Sequence, residues 1–402
     1  MDMLPPTCIV VPTYWTREGG VRRAGDAVYD HPTPLRGENT LEALLASLER
    51  LETSQFYLLL LVAVTAVDAS VEAEHAVQAL ADRHPSIVSL VFGAAQLQVF
   101  HASVSELRLD YARDFLDLQQ YPKIRNLQLA LPLALRSRAI VALDDDEIVN
   151  DPGFLRKATV SLGLEVDGEV VHGLSGHYEQ EDGSVFLKVD PAKAESSNLF
   201  DRKASIMNEA TDLLEAESGV IVKTPFCFGG NMEFSPEMAR SVGFDPGITR
   251  GEDIDYLINA RMEGKSFFLR KDLRILHCPP KGGSYQDSSS SKLEQDVIRF
   301  LYEQKKLEVS RDHPALHPVT AADLMPYPGK FLNGDLSEDA CQALDAAGYG
   351  ADSADFVRTV RDGLDARVSA YLLFRERWSV VTEALSESTQ VRDQLMSQVR
   401  NA

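Results

Sequence analysis

Near its start the chain alternates short unbroken apolar runs with stretches of helical apolar spacing. Cys8–Val11 is such a run, stopping at Pro12-Thr13-Tyr14, and predicts a buried strand followed by a Gly- and Arg-containing loop through about Asn39. Leu41, Leu44, Leu45 and Leu48 share one face of a helix predicted over 41–51, with Thr40 placed to cap it. Tyr57–Val64 predicts a second buried strand and Val71–Arg83 a second helix. That order predicts an α/β fold with a parallel sheet, whose ligands bind beyond the carboxyl ends of the strands.

The pattern repeats with a strand over Ile87–Phe92, a helix over Lys123–Leu135 and a strand over Ala139–Leu143 that runs into Asp144-Asp145-Asp146-Glu147. Between Glu169 and Val189 an apolar stretch centred on Asp182-Gly183 predicts a β-hairpin, and Ala192–Glu217 is polar and helix-prone. In RGEDIDYLINARMEG, the spacing of Ile254, Leu257, Ile258 and Met262 predicts a helix that opens at Glu252 and Asp253 and ends at Gly264. Past Pro279, Lys281-Gly282-Gly283-Ser284 and the serines Ser288–Ser291 read as a joint, and apolar periodicity over Ser353–Val399 predicts helices. The expected division is an α/β domain over 1–285 and a mainly helical region over 286–402.

A chain of 402 residues with 44% hydrophobic and 25% charged residues can bury a large core. Its formal charge of −21 repels a phosphate backbone and argues against a nucleic-acid partner. The same field repels any small phosphate-bearing ligand unless metal and a few Lys or Arg side chains neutralise the site. Four scattered cysteines, no apolar run long enough for a membrane span and no signal-peptide pattern lead to the expectation of a cytoplasmic protein.

The acids after Leu143 stand at a strand tip. Oxygen ligands suit Mg2+ or Mn2+, which can stabilise a leaving nucleoside diphosphate. If extended backbone persists, Asp144 and Asp146 fall on one side, and Asp145 and Glu147 on the other. An exposed acidic turn is the plainer alternative in so acidic a chain.

In order along the chain, IVVPTYW, TLEALLASLERL, KIRNLQLALPLA before VALDDDEIV, FGGNMEFSPE and RGEDIDYLINARMEG resemble the family 2 glycosyltransferases and their GT-A relatives, including the glucosyl- and mannosyl-phosphoglycerate synthases. The resemblance spans about residues 7–280 and implies a GT-A domain that transfers a sugar from a nucleotide diphosphate sugar to a hydroxyl acceptor. It places Asp144 near the donor ribose with Asp145 beside it, and gives Asp146 and His277 the metal. Asp253 becomes the base that deprotonates the acceptor in an inverting displacement, with Glu252 second; a retaining course stays open. Glu252 and Asp253 also sit where acids simply cap helices, and the helix dipole there weakens a base.

Pro12, Thr13 and Tyr14 would border the nucleotide, Asp68 would hydrogen-bond the base, and Lys123 and Arg125 would supply positive charge. Gly229, Gly230 and Asn231 would let the backbone approach the acceptor sugar or merely form a tight bend, and Arg250 would hold a donor phosphate or an anionic acceptor. The stretch Trp15–Glu38 departs from the family pattern, leaving the nucleotide open, with Glu18 as a substitute acid. Gly19-Gly20 with Arg22 and Arg23 keeps a sugar-nucleotide nucleotidyltransferase in view, and a non-catalytic binding protein is the other alternative. The expected acceptor is a small soluble molecule, and the helical tail offers a homodimer surface.

Overall fold

The computed structural model describes residues 4–20, 23–279 and 289–397. The predicted joint at 281–284, the first of the serines, Arg22 and the 285/286 boundary lie outside the described residues.

Along the first part run β1 (Thr7–Thr16), β2 (Thr33–Pro34), α1 (Leu41–Leu48), β3 (Phe56–Val64), α2 (Ser70–Ala81), β4 (Ser89–Phe92), α3 (Ala94–Glu106), α4 (Tyr121–Ala134) and β5 (Ala139–Leu143). Then follow β6 (Glu147–Ile148), α5 (Phe154–Ser161), β7 (Glu165–Val166), β8 (Glu169–Val170), β9 (Gly173–Glu179), α6 (Pro191–Ala194), α7 (Lys203–Ala216), β10 (Ile221–Thr224), β11 (Asn231–Phe234), α8 (Pro236–Ser241), α9 (Glu252–Met262) and β12 (Phe267–His277). The rest is helical: α10 (Ser289–Asp312), α11 (Gly329–Leu332), α12 (Ser337–Ala346), α13 (Asp352–Asp362), α14 (Leu364–Glu387) and α15 (Thr389–Met396). This is the expected α/β architecture with a helical C-terminal region.

The main sheet has the order β10-β12-β9-β11-β5-β1-β3-β4, with β2 on β1 and β6 on β12. β1, β3, β4 and β5 are parallel, and β9 and β12 are parallel to each other. β11 lies between the two groups, antiparallel to β5 and β9. The carboxyl ends of β1, β5, β9 and β12 therefore share one edge, and the start of β11 meets it, with Asn231 opposite Leu143.

Both faces of the sheet are covered, which explains why its strands read as unbroken apolar runs. Cys8, Val10 and Tyr14 of β1 join one core, whereas Ile9, Val11 and Trp15 join the other. The first core contains α4, buried from Ile124 to Ala134, and also Phe300, Tyr327 and Trp378 from the C-terminal helices. Residues on both sides of the expected 285/286 division thus pack into the same core. Lys306 of α10, wholly buried, fastens to α9 through Asp255 (2.8 Å) and to Asp245 (2.6 Å).

Three local readings differ from the structure. Thr40 makes no side-chain cap; the Asn39 carboxamide oxygen accepts the Glu42 N–H at 3.0 Å instead. The hairpin forms at Asp167-Gly168, between β7 and β8, and not at Asp182-Gly183, where β9 ends in a turn. Both dipeptides carry the turn signal, but β9 takes its partners from β11 and β12. α3 escaped the sequence reading because its exposed Val99 and small residues blur the apolar spacing.

Candidate active site

A cavity of about 420 Å3 opens at the shared carboxyl edge, lined by Tyr14, Asp144, Asp145, Asp146, Tyr178, Gly229, Glu252, Asp253 and His277 among others. The extended backbone of β5 stops at Leu143; Asp144, Asp145 and Asp146 lie on the turn that follows, and Glu147 opens β6. Asp145 is buried and accepts the Thr13 hydroxyl at 2.6 Å, and the Trp15 indole N–H donates to Thr13 at 2.9 Å. Burial, reinforced by the charge of Asp146, pushes Asp145 up to about 8 against the Thr13 hydrogen bond. Glu147 is buried, and its Oε2 accepts the Asp144 N–H at 3.1 Å. Burial and then the charges of Asp144 and Asp146 hold it well above the ordinary carboxylate range. Asp145 and Glu147 therefore brace the turn from inside.

Asp144 and Asp146 turn to different partners. Arg125, buried on α4, places Nη1 3.0 Å from Asp144 and Nε 3.5 Å from Glu252. Burial opposes the guanidinium charge, but Asp144, Tyr14 and Glu252 outweigh it and raise its pKa. Arg125 thus ties the strand tip to the start of α9. Asp146 Oδ2 lies 3.4 Å from His277 Nε2, and the Cys278 N–H donates to the Asp146 carbonyl at 2.8 Å. The His277 ring stacks on Tyr178 at 5.0 Å, and Tyr178 stacks on Phe228 at 4.8 Å. Burial alone would lower the pKa of His277, but the Asp146 carboxylate overrides it and raises it.

Among the described residues no group of three or more His, Cys, Asp and Glu side chains is arranged to hold a metal ion. Asp146 and His277 form a two-residue donor set, an oxygen beside an imidazole. That set suits a Mg2+- or Mn2+-like ion that takes its remaining ligands from water and substrate phosphate.

Gly251, at φ 71°, opens α9 and packs against the Arg299 guanidinium. Glu252 is buried against Arg125, whereas Asp253 is partly open to the cavity, its Oδ1 accepting the Ile254 N–H at 2.9 Å. Burial raises the pKa of both, with the charge of Asp253 adding at Glu252 and Arg125 opposing at both. Burial thus acts in the opposite sense to the helix start, which by itself makes them weaker bases.

The same cavity is lined by Lys203, Arg250, Arg299 and Tyr327 together with Asp30 and Asp296. Arg250 pairs with Asp30 at 3.2 Å and Lys292 with the same carboxylate at 2.7 Å; Lys203 pairs with Asp296. Burial opposes ionisation of Asp296, yet Lys203 and Arg299 hold it below its ordinary range. For Lys203 burial wins over Asp296 and lowers its pKa. Nε and Nη1 of Arg299 are buried without a hydrogen-bond partner, although Nη1 is 3.7 Å from Glu303.

The other residues singled out from sequence fall elsewhere. Pro12 and Thr13 lie within β1, and Lys123, half-buried, is outside the cavity lining. Asp68 is more than half exposed and engaged by Arg17 at 2.9 Å and Arg23 at 3.5 Å, away from the cavity. Glu18 is exposed and faces Arg36. Gly229 lines the cavity, but a Cβ there would lie 2.7 Å from Arg125; at Gly230 it would lie 2.0 Å from Glu147. These glycines make room for the protein's own side chains. The Asn231 amide is buried, donating to the carbonyls of His177 and Leu273.

Asp30 and His31 come from the 15–38 stretch, and Tyr178, Lys203, Asp296, Arg299 and Tyr327 from segments with no motif. An Arg and an Asp one turn apart on the same helix were the available signal for Arg299 and Asp296.

No protein-family model and no curated protein matches the chain. Among solved structures it is similar to a mannosyltransferase from Pyrobaculum calidifontis in complex with GDP-Man and Mn2+, at 15% identity over 95% of this chain and 85% of that one, with a TM-score of 0.46. It is also similar to glucosyl-3-phosphoglycerate synthase from Mycobacterium tuberculosis in complex with Mn2+, UDP and phosphoglyceric acid, at 15% identity over 72% of this chain and 78% of that one, with a TM-score of 0.35. No described helix is long and apolar enough to cross a membrane.

Proposed function

We propose that the chain is a metal-dependent GT-A glycosyltransferase that moves a sugar from a nucleotide diphosphate sugar to a hydroxyl of an anionic acceptor, with inversion. The observation that carries this reading is one cavity lined by Asp146 beside His277, by Asp253 and by a cationic cluster. A divalent cation held by Asp146 and His277 would neutralise charge on the donor diphosphate as it leaves.

Asp144, fixed by Arg125, offers an acceptor oxygen to the ribose hydroxyls. Arg125 is committed to Asp144 and Glu252, so it sets the distance between donor and acceptor walls and does not bind phosphate. Asp253 takes the proton of the acceptor hydroxyl as that oxygen attacks the anomeric carbon and the glycosidic bond to the diphosphate breaks. Its desolvation raises its affinity for that proton. In the cavity lining Lys203, Arg250 and Arg299 outnumber Asp30 and Asp296 there, which favours a carboxylate or phosphate on the acceptor. Among the described residues, Arg23 is engaged by Asp68 and Gly19-Gly20 stand outside the cavity, which gives triphosphate binding there no support.

The test is product analysis. Incubation with Mn2+ and a panel of nucleotide sugars should release nucleoside diphosphate, and NMR of the glycoside formed should show an inverted anomeric centre. Release of pyrophosphate from a nucleoside triphosphate, with no diphosphate from any sugar donor, would sink the reading.

A further inference from the structure

A second cavity of about 230 Å3 adjoins the first and shares Asp30, Tyr121 and Arg250 with it. We infer that this annex takes the nucleobase of the donor, an inference that rests on the nucleotide-sugar reading above.

At the corner beside Asp68 that carboxylate, though more than half exposed, is already engaged. Arg17 bridges Asp26 and Asp68, and the Ala27 N–H donates to the Thr65 carbonyl at 2.8 Å, so the chain after β1 closes over the end of β3. Tyr14, although it reaches the first cavity, is buried and crowded by Tyr29 at 4.6 Å and Tyr121 at 5.3 Å, which leaves little of its ring to a base. A base joined to a ribose at Asp144 must lie elsewhere.

Helix α4 supplies the path. Arg125 marks the ribose end through Asp144, and one turn back, a rise of about 5.4 Å, stand Tyr121 and Gln120 at the mouth of the annex. Gln120, Thr249 and Gln295 bring uncharged donors and acceptors, while Tyr121 and Val28 bring apolar surface. The two charged residues, Asp30 and Arg250, are paired with each other. Such a lining favours a neutral, flat, hydrogen-bonding ring and disfavours a second phosphate.

Calorimetry of the full chain with Mn2+ and with UDP, GDP or inorganic pyrophosphate tests this against Thr249→Trp, which fills the annex from its exposed rim. One nucleotide should bind at least about tenfold tighter than pyrophosphate. Thr249→Trp should bring it to within about threefold of pyrophosphate, with melting unchanged, and should abolish saturation transfer to its base protons. Nucleotide affinity indifferent to Thr249→Trp, with pyrophosphate still bound, overturns the annex and leaves the transferase reading standing. So does a disaccharide such as maltose losing its binding in the variant while the nucleotide keeps its own. Failure of pyrophosphate and both nucleotides to bind sinks the donor reading, and the annex with it.

Discussion

Arg125 Nη1 lies 3.0 Å from Asp144 Oδ1, both drawn in from solvent, and the same guanidinium reaches Glu252 at 3.5 Å. Arg125→Met leaves the buried Glu252 and the half-buried Asp144 without their cation, a loss of up to about 3–5 kcal/mol in stability. Activity should fall by about 10²–10³. Arg125→Lys keeps the charge but not the fork, and should fall between the two in melting temperature and in rate. Melting curves and steady-state rates check this; a Lys variant as impaired as Met would show that charge is not what the position supplies.

Asp253 and Glu252 separate by role. Asp253→Asn should lower kcat by about 10²–10⁴ with nucleotide affinity unchanged, whereas Glu252→Gln should weaken the tie to Arg125 and lower stability as well. Asp253 works ionised and its pKa is raised by burial, so the rate should climb with pH through a limb above the ordinary value of about 3.9. Measured pH-rate profiles of wild type and Asp253→Asn should differ by the loss of that limb.

Glu233 stands on β11 with both carboxylate oxygens buried and unpartnered, and burial raises its pKa well above the ordinary range. The folded state therefore holds a proton that the unfolded chain releases above about pH 4.3. Stability contributed by that proton is full below this pH and is lost as pH rises toward the folded-state pKa. Glu233→Gln should melt higher than wild type at pH 8, by about 1–3 kcal/mol, and the gap should shrink at pH 4. A gap that widens on acidification would show that the carboxylate has a partner.

Lys306 is wholly buried between Asp245 and Asp255, its ammonium 4.1 Å from the Tyr371 ring centroid. Lys306→Met strands two buried acids and should destabilise by about 3–5 kcal/mol. Lys306→Met with Asp245→Asn and Asp255→Asn should recover part of the loss in chemical denaturation. No recovery would mean that shape, not charge, makes the contact.

Much of this was legible before the structure. The apolar runs around Val10, Leu60 and Val141 are strands because each is buried on both faces, and the acidic turn after Leu143 sits at a strand end as read. Asp146 and His277 meet, although 131 residues apart in sequence (277 − 146), because β6 pairs with the end of β12. Asp68 stands outside the cavity lining, engaged by Arg17 from the stretch after β1, a contact that no local pattern reports. Arg299 and Tyr327 were invisible for a similar reason: the C-terminal helices read as an appendage, and only their packing against Gly251 and α9 makes them walls of the cavity.

The central claim is that Asp146 and His277 hold a cation that meets the donor diphosphate. Titration calorimetry of UDP and GDP with Mn2+, and again with chelator, measures it directly. The account predicts at least about tenfold tighter binding of one nucleotide with Mn2+, lost in both Asp146→Ala and His277→Ala. Equal affinity with and without the metal in the wild-type chain would contradict it.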